Sequence, residues 1–92
     1  LIKCTWNDIK STKTKIEPGW RIPNLSELEK IVNNHGSALN CTKKDNIFWS
    51  NEEKNSTYQW GVKWHPKTNS YETSSFMFST TGYIKLIKDV DF

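Results

Sequence analysis

PGWRIPNLSELEKIV, residues 18–32, holds an extended segment, a helix start and an apolar helix face in close succession. Pro18-Gly19 ends whatever helix precedes it, because Pro cannot continue one and Gly supplies the turn. Trp20-Arg21-Ile22 reads as extended, since Pro23 disfavours helical backbone at the residue before it. Asn24 then caps a helix. Its side chain can accept from the N–H of Glu27, and the Glu27 carboxylate can reach back. Leu25, Leu28, Ile31 and Val32 recur at helical spacing as the buried face. Asn33-Asn34-His35-Gly36 supplies the stop, with Gly36 as a left-handed C-cap. Trp20 and Ile22 are expected to plug the core. Arg21 is expected to pair with Glu27 and brace strand against helix, in preference to gripping an anionic ligand. Trp20, Arg21, Pro23, Asn24 and Glu27 are therefore assigned structural roles.

Upstream, Thr5 and Asp8 form a second capping pair, followed by Trp6, Ile9, Lys13 and Ile16 on one helical face. The spacing predicts a first helix over residues 6–16, packed through Trp6. Downstream, residues 37–46 show no periodicity and read as a loop. Ile47-Phe48-Trp49-Ser50 is a strand, with Trp49 a core residue. Tyr58, Trp60, Val62 and Trp64 alternate with polar or small residues, the pattern of a half-buried strand. His65 to Ser70 contains Pro66 and Asn69 and reads as a hairpin loop. Residues 71–73 and 83–88 give further extended segments, and residues 76–78 read as either another strand or a packed loop. Two helices in the first third and an antiparallel sheet in the rest make an α+β domain.

The 92 residues suit one domain spanning 1–92 with a modest core. The chain starts at Leu1 and Met77 is its only methionine, so a segment of a longer product is expected. No apolar run approaches the roughly 18 to 20 residues that span a bilayer, and no membrane span is expected. Five Trp, three Tyr and four Phe supply bulk that the few Leu, Ile and Val do not. The net charge of +3 is mild and its lysines are scattered among acids, so nucleic acid is an unlikely partner on this balance. Cys4 and Cys41 leave open either one disulfide or two buried thiols. Asn24-Leu-Ser, Asn40-Cys-Thr and Asn55-Ser-Thr fit the N-glycosylation pattern, as chance alone gives in a chain this rich in Asn, Ser and Thr.

Gly19-Trp20-Arg21-Ile22-Pro23-Asn24 with Glu27-Leu28 resembles the "GWRLPT..EL" block of bacterial C-type-lectin-like domains. The resemblance is to the Lcl C-terminal-domain family, with the Fibrobacter-type major paralogous domain a near relative. Thr5-Trp6-Asn7-Asp8-Ile9 is similar to that family's "tW.eA", and Phe48-Trp49-Ser50 to its "YWSS". Trp60-Gly61-Val62-Lys63-Trp64 is similar to "aW.V.F", and residues 83–88 to the closing "y.VRcVR". Leu86 stands where the family has Cys, and Lys85 and Lys88 where it has Arg. The resemblance implies two helices flanking an antiparallel sheet, with the termini brought together. It also implies bacterial surface, adhesion or phage-tip context, and hence a secreted, cell-surface or phage-particle location.

Trp6-Asn7-Asp8 spells the WND of calcium-dependent lectins but precedes Glu17-Pro18-Gly19, so order and position are both wrong for calcium. His35 and His65 have no metal-ligand spacing, and neither cysteine is placed for nucleophilic catalysis. The expectation is a non-enzyme without metal or cofactor. Trp64, His65, Lys67, Asn69 and Tyr71 combine aromatic faces with hydrogen-bonding tips, the chemistry that stacks on a sugar ring and orients its hydroxyls. They are the candidate ligand-binding set. Trp60 on the same strand reads as core. Two partner classes follow: a glycan or other surface ligand bound without calcium, or a partner protein docked around Phe76, Met77 and Phe78.

Overall fold

The computed structural model describes residues 2–11, 16–39 and 46–88. The element order is β1 (Ile2–Thr5), α1 (Trp6–Lys10), β2 (Trp20–Arg21), α2 (Leu25–Leu39), β3 (Asn46–Glu53), β4 (Tyr58–His65), β5 (Ser70–Met77), β6 (Thr81–Ile84) and β7 (Ile87–Lys88). Five strands form one sheet in the order β1-β6-β3-β4-β5, and β2 pairs with β7 in a separate ribbon. The large sheet is antiparallel except where β3 runs parallel to β6 at Phe48 and Tyr83. The described residues form a small α+β domain with two helices.

Side chains alternate across a strand, so β3 feeds two cores, one on each sheet face, and β4 feeds the one beside α2. Phe48, Val62 and Trp64 meet Leu28 and Val32 of α2 on one face. Trp49 meets Cys4, Trp6, Ile22, Phe78 and Ile84 on the other. The Trp49 indole is fully buried, 6.0 Å from the Trp6 ring and edge-on to Phe76 at 6.2 Å. Its N–H donates to the Cys4 carbonyl at 3.2 Å, so the one polar atom of the ring is satisfied. Room for these rings comes from two glycines. A Cβ on Gly82 would stand 2.9 Å from Trp49 Nε1 and 3.0 Å from the Ile47 carbonyl. One on Gly61, opposite Trp49 in β4, would stand 2.6 Å from the Phe48 carbonyl and 3.3 Å from the Phe76 ring.

The stretch at residues 20–28 forms the local structure its residue types dictate. Asn24 Oδ1 accepts from the Glu27 N–H at 2.9 Å, and Glu27 Oε1 accepts from the Asn24 N–H at 3.0 Å. Arg21 donates through both terminal nitrogens to the two Glu27 oxygens, at 2.8 and 2.7 Å. Glu52 at the end of β3 accepts from the Leu25 N–H at 2.6 Å, and the Pro23 carbonyl accepts from the Asn51 N–H at 2.9 Å. Pro23 itself is fully buried. The helix start is thus tied to the sheet by carboxylates, which also suit the positive end of the helix dipole.

Several expectations are corrected. The first helix stops at Lys10 with Ser11 as its C-cap, one capped turn rather than residues 6–16. A single turn has too few backbone hydrogen bonds to extend itself beyond the packing of Trp6. The second helix runs on through Gly36 to Leu39, so the helices are not both within the first third. Glycine inside a helix costs only about 1 kcal/mol against alanine, and so permits a stop without forcing one. Trp20 does not plug the core: it is 41% exposed, with the Lys88 ammonium 5.8 Å from its ring centre. Ile22 does reach the core. Residues 71–73 and 76–78 are not separate segments, because β5 runs unbroken along β4 from Ser70 to Met77. The expected final strand divides between β6 and β7, and β1 is a strand that the sequence pattern did not announce. Cys4 is buried, while Cys41 lies outside the described residues, and the disulfide expectation with it.

Two outcomes follow from this packing. Gly82→Ala drives a methyl against Trp49 and the Ile47 carbonyl, and is expected to destabilise the fold by about 1–3 kcal/mol in urea unfolding. The Arg21 hydrogen bonds, helped by the Asn24 N–H, hold the Glu27 carboxyl at about 2 instead of 4.5. Its charged form therefore contributes stability above pH 4.5 that is lost as pH falls toward 2. Glu27→Gln is expected to be less stable than the native chain at pH 6, by about 1 kcal/mol given its partial exposure. The two should converge as pH approaches 2 in pH-resolved unfolding.

Candidate functional site

The predicted ligand set is not brought together. Trp64 and Tyr71 are cross-strand partners on the α2 face, whereas His65 follows Trp64 and points to the other face. Trp64 is only 4% exposed and packs with Leu28, Val32, Phe48 and Val62, so its ring has no free face for a sugar. The alternation that places an aromatic on a half-buried strand places it in the core here. Trp60 is half-buried with the Lys54 ammonium 5.2 Å over its ring. His65 Nε2 lies 3.1 Å from Glu72 Oε2 on the face away from α2.

Lys67 and Asn69 occupy the exposed tip of the β4–β5 hairpin. Asn69 has φ +48°, the left-handed turn geometry that Asn tolerates, and Thr68 and Ser70 hydroxyls bond each other at 2.6 Å beside it. Asn69 thus closes the turn. Tyr71 is the aromatic of the set that reaches the surface, 38% exposed.

Beside Tyr71 lies a shallow cleft of ≈ 210 Å³ between β5 and α2, lined also by Ser26, Glu29, Lys30 and Asn33. Glu29 Oε2 accepts from the Thr73 hydroxyl at 2.7 Å, which fixes the carboxylate at the cleft margin. The arrangement offers an aromatic ring, a hydroxyl, a carboxylate, an ammonium and an amide around one small volume. That inventory matches a polar ligand with several hydroxyls. The volume falls below the 300–1,000 Å³ typical of drug-sized sites and limits the ligand to about one ring. The four helix residues were missed as site residues. Their i, i+3, i+4, i+7 spacing is visible in the sequence, yet such a polar stripe normally marks a solvated helix face.

A second, more open groove of ≈ 620 Å³ runs along Asn7, Asp8, Lys10, Ser11, Ser56 and Phe78. Asp8 there accepts from the Thr5 N–H at 3.2 Å, and its own N–H donates to Thr5 Oγ1 at 3.1 Å. The Trp6-Asn7-Asp8 triplet is a helix cap and a core tryptophan. Among the described residues no three His, Cys, Asp or Glu side chains converge in a metal-ligating group. None of the described helices is long and apolar enough to cross a membrane. No protein-family model matches the chain, and no curated protein is significantly similar to it.

The turn role of Asn69 is testable by substitution. Asn69→Ala is expected to destabilise by about 1 kcal/mol and Asn69→Gly to be neutral or stabilising, measured by thermal unfolding.

Proposed function

We propose that this chain is a non-enzymatic recognition domain of C-type-lectin-like character that binds a small polyhydroxylated ligand, without calcium, at the Tyr71 cleft. The observation that carries this is the exposed Tyr71 ring set against the polar stripe Ser26, Glu29, Lys30 and Asn33. A tyrosine face can stack on the C–H side of a sugar ring while carboxylate, amide and ammonium groups engage its hydroxyls. Consistent with the C-type-lectin-like reading, strands from the first part of the chain pair with strands from the last, β1 with β6 and β2 with β7. Arg21, Asn24 and Glu27 brace the strand-to-helix junction. The resemblance at residues 19–28 further suggests an exported, cell-surface or phage-particle setting.

A partner protein is the second reading. Tyr58 and Met77 are directly opposed across β4 and β5 and are 37% and 47% exposed. Phe76 and Phe78 turn into the core and contribute no patch of their own.

Titration of the 15N-labelled chain with a panel of mono- and oligosaccharides tests the leading reading. Amide shifts confined to residues 26–33 and 71–73, abolished in a folded Tyr71→Ala variant, are the expected result. Silence across the whole panel with an intact spectrum would count against it.

A further inference from the structure

Among the described residues the sheet ends in two unequal edges. The β1 edge is four residues long and carries Lys3, a common way to discourage strand addition. The β5 edge is eight residues, Ser70 to Met77, with one charge and neither lysine nor proline. It pairs with β4 in continuous register with no bulge. A long regular edge without these protections is a template for another strand.

We propose that β5 is a homodimer interface, pairing antiparallel with the β5 of a second copy about a twofold axis at Ser74. An antiparallel twofold pairs residues whose numbers sum to a constant, and opposed residues share a sheet face. With the axis at Ser74, Tyr71 faces the second copy's Met77, and Thr73 faces its Ser75. Tyr71 and Met77 are the two exposed large apolar side chains of β5, and this register sets each beside the other, twice.

Charge supports the same register. Lys54 Nζ stands 3.4 Å from Ser75 Oγ, on the α2 face where Lys54 also covers Trp60. Glu29 Oε2 stands 2.7 Å from Thr73 Oγ1 on that face. Because Ser75 meets the second copy's Thr73, the ammonium of one copy is brought to the carboxylate of the other, again twice. Directly opposed side chains have Cβ atoms about 4.5–5.5 Å apart, within reach of such a pair. A twofold shifted one pair along, to Thr73, would set Tyr71 against Ser75 and leave Met77 uncovered. The α2 helices do not collide, since each packs over Val62 and Trp64 of β4. Three strand spacings, roughly 14 Å, separate them. The second copy's Met77 would also wall the open side of the Tyr71 cleft, although the interface does not depend on any ligand there.

Light scattering coupled to size exclusion, across a concentration series, tests the proposal. The native chain should approach twice its 10.8 kDa mass as concentration rises. Met77→Glu should leave a folded monomer. Lys54→Glu alone should weaken the dimer about tenfold. The double variant Lys54→Glu with Glu29→Lys should restore it, a rescue that a non-specific apolar contact would not give. Lys30→Ala, which alters the cleft but not the strand edge, should leave dimerisation unchanged, separating this interface from the ligand reading. A strict monomer at every concentration overturns the proposal, as does a dimer indifferent to Met77→Glu and Lys54→Glu.

Discussion

The Trp49 indole is the constraint from which the rest of the domain is arranged. It stands on the central strand of five, fully buried, and it must have both space and an acceptor for its N–H. Space on its flanks exists because β4 and β6 place Gly61 and Gly82 beside it. The acceptor is the Cys4 carbonyl, which holds β1 against β6. Trp6 and Phe76 then close over the ring from α1 and from the edge strand. A large residue with a polar atom thereby determines which strands are neighbours, a stronger demand than an aliphatic core residue makes.

The opposite face of the sheet is organised by charge as well as by apolar packing. Glu27, Arg21 and Glu52 converge on the start of α2 and tie it to β2 and β3. These bonds, with Leu28 and Val32 packed on Val62 and Trp64, set the helix over β4 and its polar stripe beside β5. The same placement brings Glu29 to Thr73 and leaves Tyr71 at the surface between the two elements. The candidate ligand cleft and the candidate dimer edge are therefore both products of how α2 is anchored. Substitutions at the anchor should move them together.

Much of the local structure was legible because it depends on neighbours in sequence. Asn24 with Glu27, Thr5 with Asp8, and Pro23 after an extended triplet each form what their residue types require within one turn of chain. The alternation at Tyr58 to Trp64 marked β4 for the same reason. The ends of the elements were harder to read. Gly36 permits a helix stop but α2 passes through it, and the apolar stripe that suggested a helix to residue 16 yields a single turn. β1 has neither periodicity nor turn signals of its own, and becomes a strand only by pairing with β6.

Exposure of the aromatics divides along the same line. Residue types alone show that aromatic residues fill the core, that a capped helix follows residues 20–23, and that the strand at residues 58–64 leads into a hairpin loop at 65–70. Those features rest on capping bonds, proline sterics and side-chain alternation, all of which act over a few residues. That Trp64 is buried while Trp20 and Tyr71 face solvent depends on how the strands and α2 assemble. That assembly alone placed Ser26, Glu29, Lys30 and Asn33 beside Tyr71 and left β5 as the long open edge. Strand order and helix placement decide these things, and both come from contacts such as that of the Trp49 indole with the Cys4 carbonyl, made across 45 residues of chain.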